Sequence, residues 1–238
     1  MAIKVSVVGA TGRMGKLALE VIAAADELEL HSALSSSSSL DETKGADVIF
    51  DVTKLEVSLK VVAFALANGI PVLVGTSGWS ATHLAGIEAS VHSTKGTAVV
   101  VPNFSVGSML ATRFAAQAAR YFDSIEIVEA HHAHKLDSPS GTAIRTAEMI
   151  AASRKGSAEI VGLGQTARGE VVAGVPVHSL RLEGVNAKQD VYFGGASELL
   201  TISHETTSVA AYSAGIKLAL IFASSAKGLH IGLDAVIK

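Results

Sequence analysis

The sequence predicts an α/β protein: an N-terminal Rossmann-like, doubly wound parallel sheet, then a second α+β domain with a mixed or antiparallel sheet. Three observations carry this prediction. Strand-like and helix-like segments alternate from Ile3 to Val101, the rhythm of βαβ units. A glycine turn, Gly9-Ala-Thr-Gly12-Arg-Met-Gly15, stands between the first strand and the first helix. Beyond Ser153 the long helical patterns give way to successive short strands.

Ile3 to Val8 reads as a buried strand, and Met14, Leu17, Ala18, Val21, Ile22 and Ala25 recur behind it at helical spacing. In that context Gly9 permits the tight turn, Gly12 lets the backbone approach a pyrophosphate, and Gly15 lets helix and strand pack closely. Arg13 adds a cation. Leu28 to Leu34 is the second strand. A dinucleotide domain usually ends that strand with an acid for the ribose hydroxyl or a basic residue for a 2′-phosphate. Here Ser35 to Ser39 form a polar run, read as a flexible loop, with no acid to repel a 2′-phosphate and no arginine to grip one.

Val48 to Val52 is a third strand, followed by a helix from about Glu56 to Asn68. Pro71 to Val74 is a fourth and delivers the polar loop Gly75-Thr-Ser-Gly78. Ala98 to Val101 is a fifth, ending in Pro102-Asn103-Phe104-Ser105. Loops at strand C-termini of a parallel sheet are where ligands sit. Ser105 to Phe122 reads as one long helix burying Met109, Leu110, Phe114 and Ala118. Ser153 to Gly169 is a loop rich in glycine and charge. Val175 to Leu182, Gln189 to Phe193 and Leu199 to Ser203 read as strands whose open face needs helices or another subunit. Ser208 to Ala226 is a last helix that returns to the first domain. The expected division is a dinucleotide-binding domain at 1–103, completed by about 210–238, and a substrate-binding and oligomerisation domain at 104–209.

The densest chemistry lies in Glu129 to Ala143, E-A-H-H-A-H-K-L-D-S-P-S-G-T-A, between a strand over Ser124 to Val128 and a helix over Thr142 to Ala152. Ser140 reads as a helix N-cap with Gly141 and Thr142 after it, so their backbone N–H groups make an anion pocket. Histidines and a lysine beside such a pocket suggest acid–base chemistry on a carboxylate or phosphate substrate. A zinc reading through His132, His134 and Asp137 lacks a fourth ligand and has Lys135 beside it, so no metal is expected.

The rest of the composition is restrictive. The chain of 238 residues has no cysteine, which excludes disulfides and thiolate catalysis, and its net charge of −3 gives no electrostatic case for nucleic acid or membrane binding. No apolar run approaches the ~18 residues of a membrane span, and the N-terminus lacks a signal-peptide pattern. A cytoplasmic protein is expected.

The segment Glu129 to Ala143 resembles the signature of the 4-hydroxy-tetrahydrodipicolinate reductase family, formerly dihydrodipicolinate reductase, of the diaminopimelate–lysine pathway. The resemblance runs through nearly the whole chain: G-A-T-G-R-M-G at the start, F-D-V-T at 50–53, G-T-S-G at 75–78 and P-N-F-S-V-G at 102–107. It implies NADH or NADPH bound by Gly9, Ala10, Thr11, Gly12, Arg13 and Met14, by Gly75, Thr76 and Ser77, and by Val101, Pro102, Asn103 and Phe104. It implies a cyclic dicarboxylate held in part by His132, Gly141 and Thr142, with His131 and Lys135 handling the proton, and a homotetramer formed through the second-domain sheet. The chain departs from the family at the serine run, at Lys188 and Gln189 where some relatives carry a histidine, and at Val209 where arginine is frequent. A non-catalytic dinucleotide sensor and a different two-domain dehydrogenase are the competing readings; the sensor needs no proton-donating cluster, and the His-His-x-x-Lys segment followed by Ser-Gly-Thr argues against the other dehydrogenase.

Overall fold

A computed structural model describes residues 1–154 and 164–237. In chain order the first half contains β1 (Ile3–Val8), α1 (Arg13–Ala23), β2 (Leu28–Leu34), β3 (Val48–Asp51), α2 (Leu55–Ala67), β4 (Val72–Val74), α3 (Ala81–Thr94) and β5 (Thr97–Val100). The second half contains α4 (Val106–Ala118), β6 (Ser124–His131), α5 (Gly141–Ser153), β7 (Glu170–Val172), β8 (Val175–Arg181), β9 (Ala187–Gly195), β10 (Glu198–Thr206), α6 (Ser213–Ser225) and β11 (Gly228–Ile231). These elements fall into two units, Met1–Val106 with Val209–Lys238, and Gly107–Ser208.

The first unit is a six-stranded sheet in the order β11-β5-β4-β3-β1-β2, every pairing parallel. Its strands are the Val, Ile and Leu runs, and β3, β4 and β5 are buried along their whole length. That is the pattern of a sheet covered on both faces. Strand order reverses between β1 and β3, which makes the C-terminal edge there the topological switch point where such folds take ligands. Phe50 on β3 meets the Phe104 ring edge-to-face at 5.5 Å between centroids, fixing the segment after β5 against the core.

The second unit is a mixed five-stranded sheet, β10-β9-β6-β8-β7, in which β6 pairs parallel to β8 and antiparallel to β9. One face carries Ile125, Ile127, Val177, Val191 and Phe193 and packs on Ala143, Ala147 and Ile150 of α5 and Ala115 of α4. The fold class is therefore the one expected.

Several elements differ from the expectation. Helix α3, β7 and β11 were not anticipated, and β11 closes the first sheet beside β5. The helix expected over 105–122 ends at Ala118. Leu110 and Phe114 on it are 37% and 52% exposed, not buried. Met109 is buried as expected, but the rest of the inner face is the small residues Ser108, Ala111, Thr112, Ala115 and Ala116, so bulk at helical spacing misplaced Leu110 and Phe114. Strands β6, β9 and β10 run further than the apolar patterns suggested. Ser208 to Tyr212 is not regular helix; a 3-10 turn, Val209–Tyr212, precedes α6. Of the glycine-rich loop expected at 153–169, residues 155–163 lie outside the described residues.

Candidate active site

On the first unit, the C-terminal edge of the sheet gathers three loops. Gly9 adopts φ +91°, and a Cβ there would stand 2.8 Å from the Val52 carbonyl oxygen. A Cβ on Gly15 would stand 2.2 Å from the Gly9 carbonyl oxygen, so only glycine lets α1 start so close to the turn. Gly12 is the N-cap of α1 and makes no side-chain cap, which leaves the helix's first-turn amides directed at the turn. Thr11, Gly12 and Arg13 are exposed beside it, Met14 is half-buried and Ala10 is buried. The cradle suits a pyrophosphate: a tight turn, close backbone approach and an uncapped helix start.

A buried carboxylate ties the other loops together. Asp51, at the end of β3, accepts hydrogen bonds from the Thr53 amide (3.2 Å), the Thr53 hydroxyl (2.6 Å), the Thr76 hydroxyl (2.9 Å) and the Ser58 hydroxyl. Burial raises its pKa, and these four donors oppose the rise. Thr76 thus spends its side chain on Asp51, and Thr53 in turn donates its amide to the Thr76 hydroxyl at 3.0 Å. Ser77 and Pro102 are exposed, while Val101 and Phe104 are buried, so that segment meets solvent mainly through Pro102 and Asn103. The Asn103 carboxamide oxygen accepts from the Ser105 amide at 2.9 Å, bracing the turn.

The serine run carries local hydrogen bonds. Ser38 donates its amide to the Ser35 carbonyl at 3.2 Å, and the Ser35 and Ser37 hydroxyls lie 3.0 Å apart. Ser39 and Glu42 form a reciprocal capping box on a 3-10 turn, Leu40–Thr43.

On the second unit, β6 runs to His131 and so carries Glu129 and His131 on the same face. Glu129 is fully buried. Its Oε2 lies 2.5 Å from His131 Nδ1, and Arg181 grips both carboxylate oxygens at 3.0 and 3.1 Å. The Ser140 amide donates to Oε1 at 3.3 Å. Burial by itself would raise the Glu129 pKa; hydrogen bonds from His131, Arg181 and Ser179 outweigh it and hold the group at about 2. Arg181 comes from the neighbouring strand, β8, where it is the register partner of His131. It also donates to the Asp137 carbonyl at 2.7 Å, anchoring the loop between β6 and α5.

Within that loop Lys135 Nζ lies 2.7 Å from both oxygens of Asp137, whose pKa is lowered chiefly by that bond. His132 and His134 are exposed. Ser140 caps α5 by accepting from the Ala143 amide at 3.2 Å, and Gly141 and Thr142 are the first helical residues. Behind them Thr146 donates to the Thr142 carbonyl at 2.9 Å and accepts from Gln189 at 3.0 Å. Among the described residues no group of three or more His, Asp or Glu is placed to hold a metal ion, and no helix is long and apolar enough to cross a membrane. The reading of the sequence left the role of Arg181 undecided and met Asp51 only within the F-D-V-T motif at 50–53. Glu129 was noted there only as the residue just before the histidine cluster; that β6 continues to His131 and puts both on one face is seen in the structure.

A dinucleotide cradle on a parallel sheet, joined to a mixed-sheet unit bearing an acid–base cluster, defines a nicotinamide-dependent oxidoreductase of two-domain plan. Residues 3–104 match the family description dihydrodipicolinate reductase, N-terminus, and residues 107–237 match its C-terminus. The chain belongs to the dihydrodipicolinate reductase family. It is 52% identical over 240 residues to the 4-hydroxy-tetrahydrodipicolinate reductase of Clavibacter sepedonicus, covering 100% of this chain and 87% of that protein. It is 41% identical to that of Streptomyces griseus, over 98% of this chain and 96% of that one. Among solved structures, the dipicolinate-bound dihydrodipicolinate reductase of Paenisporosarcina sp. TG-14 superposes with a TM-score of 0.83 at 30% identity, covering 100% of both chains.

Proposed function

We propose that this chain reduces 4-hydroxy-tetrahydrodipicolinate to tetrahydrodipicolinate in the diaminopimelate–lysine pathway, using NADH or NADPH. The observation that carries the reading is the loop from Glu129 to Thr142. It sets an imidazole, an ammonium and a helix N-terminus in one short segment, beside a carboxylate kept ionised. The reaction takes up a hydride and a proton and releases water. The bound nicotinamide supplies the hydride. The chain supplies the proton, through His131 and Lys135, and holds the substrate carboxylates through His132 and the first-turn amides of α5 at Gly141 and Thr142. The dipicolinate bound by the Paenisporosarcina relative is a cyclic dicarboxylate of the same kind.

Cofactor binding falls to Gly9, Ala10, Thr11, Gly12, Arg13 and Met14, with Gly75, Thr76 and Ser77, and Val101 to Phe104. The hydroxyls of Ser35 to Ser38 offer donors to a ribose hydroxyl or a 2′-phosphate alike. Both cofactors are therefore accepted, with kcat/KM values within about tenfold of each other, because neither a repelling carboxylate nor a gripping guanidinium lies in that turn. The protein works in the cytoplasm as a homotetramer built on the outer face of the second sheet, where Leu180 and Leu199 are 45% and 67% exposed.

The test is coupled turnover, with substrate made in place from pyruvate and aspartate semialdehyde, and oxidation of each cofactor followed separately. The reading expects turnover with both, lost by about 10²–10⁴-fold in Lys135→Ala while cofactor binding is retained. A protein that binds cofactor yet oxidises neither in the presence of substrate sinks it.

A further inference from the structure

The reductase reading names His131 and Lys135 but leaves open what fixes their geometry. We propose that Glu129, locked by Arg181, is the positioning residue of the site: it holds the His131 proton on Nδ1 and so reserves Nε2 for the reaction. This inference rests on the reductase reading of the same site.

A neutral imidazole carries one proton, and which nitrogen bears it follows from the partner of the other. Here Nδ1 faces a carboxylate oxygen at 2.5 Å. An ionised carboxylate only accepts, so Nδ1 must donate, and protons enter and leave the ring at Nε2. That logic holds only while Glu129 stays ionised. Two arrangements ensure it against the cost of burial. Arg181 grips both oxygens, and the Ser140 amide donates to Oε1. A planar guanidinium is the one side chain that satisfies both oxygens as a fork.

The same bonds align the rest of the site. The Ser140 amide lies at the start of α5, so its bond to Glu129 ties the anion-binding helix start to the imidazole. Arg181 reaches the Asp137 carbonyl as well, which ties down the loop carrying Lys135. One carboxylate–guanidinium pair thus registers the imidazole, the lysine loop and the helix start against one another. Glu129 touches no reacting atom in this scheme and acts through His131.

The experiment uses the full-length chain labelled with ¹⁵N, and long-range ¹H–¹⁵N spectra of the imidazole rings in the neutral form, His131 being assigned from a His131→Asn spectrum. Two variants are compared with the parent. Glu129→Gln leaves Arg181 uncompensated and is at risk of misfolding; the double variant Glu129→Gln with Arg181→Met removes both charges together and avoids an orphaned buried cation. The expected result for the folded double variant is loss of the Nδ1–H tautomer, with kcat lower by about 10²-fold or more, the kind of penalty a wrong tautomer brings. The cofactor dissociation constant, which the first unit sets, stays within about twofold. The proposal is overturned if the tautomer is retained, or if it changes while kcat stays within about threefold of the parent. A parent chain that fails to turn over the dicarboxylate sinks the reductase reading instead, and the tautomer spectrum then decides the role of Glu129 by itself.

Discussion

The carbonyl oxygen of Phe104 lies 1.9 Å from the point where a Cβ on Gly215 would stand. Helix α6 therefore rests directly on the backbone of the segment assigned to the cofactor, and Gly215 is glycine because that segment occupies the space. Gly215→Ala must push either α6 or Phe104 away, and Phe104 is wedged edge-to-face on Phe50. The expected outcome is a loss of about 1–3 kcal/mol in unfolding free energy, as for overpacked cores, and a raised cofactor KM. Gly86, exposed in α3 with nothing within 4 Å of its missing Cβ, is the control. Gly86→Ala is expected to stabilise by about 0.5–1 kcal/mol without changing kinetics. Urea unfolding with steady-state kinetics on both variants checks the pair.

The contrast between those two glycines marks the limit of what the sequence revealed. Gly9, Gly12 and Gly15 were legible because their reason is local, a turn followed at once by a helix. The reason for Gly215 sits 111 positions earlier in the chain, and nothing in the spacing S-A-G-I-K points to it. Glu129, His131, Lys135, Asp137 and Ser140 were legible as a cluster for the same local reason, and β2 was readable residue for residue. Arg181 was not, because its partnership with Glu129 is set by the register of β8 on β6. Helix α3 escaped because it is a mixture of Ala, Gly, Ser, Thr and His that buries only Ile87 and Val91. On α4 the error ran the other way: Leu110 and Phe114 look like core, yet apart from Met109 the packed face is built from Ala, Ser and Thr.

Lys135 and Asp137 form a pair in which one partner is 19% and the other 64% exposed. An ion pair so open to water contributes little to stability, about 0.2–1 kcal/mol. Its consequence is kinetic. Asp137 competes with the bound substrate for the ammonium that the proposed proton transfer needs. Asp137→Asn is expected to leave the melting temperature nearly unchanged and to lower the KM for the dicarboxylate by up to about fivefold, the same energy expressed as a ratio. An unchanged or raised KM, measured at constant ionic strength, would show that Asp137 places the lysine and does not compete for it.

The outer face of the second sheet bears on the proposed assembly. Ser124, Glu126, Val128, His178, Tyr192, Gly194 and Leu199 line a depression of about 480 Å³ there. Glu126 holds His178 at 2.7 Å and also pairs with Arg168, so the carboxylate lining this depression is matched within the chain. Apolar residues with their neighbouring charges already paired suit contact with a second copy better than contact with solvent. Leu199→Asp places an unmatched carboxylate at that contact. Light scattering is expected to show a tetramer for the parent chain and a smaller species for the variant; a parent that runs as a monomer removes the proposal.

Glu129 and Asp51 are both buried carboxylates with opposite pKa shifts, and they pull acid stability in opposite directions. The folded-state pKa of Glu129 is depressed from 4.5 to about 2. Its contribution is therefore present in full above the unfolded value and is lost as pH falls from there toward 2, by an amount of up to about 3 kcal/mol. Asp51 is raised from 3.8 by burial. In its window the folded state binds the extra proton, so acidification from above favours folding until pH passes below the unfolded value. The two effects separate by mutation. Glu129→Gln with Arg181→Met is expected to flatten the fall in unfolding free energy between pH ~4.5 and ~2. Asp51→Asn keeps that fall but lowers stability at neutral pH by about 1–3 kcal/mol, because an amide cannot accept all four hydrogen bonds that the carboxylate receives. It also raises the cofactor KM, since Thr53 and Thr76 lose the group that ties their loops together. Urea titrations across pH ~2–7 on the three proteins check the signs; an acid limb as steep in the double variant as in the parent would mean that Glu129 is not the group that titrates there.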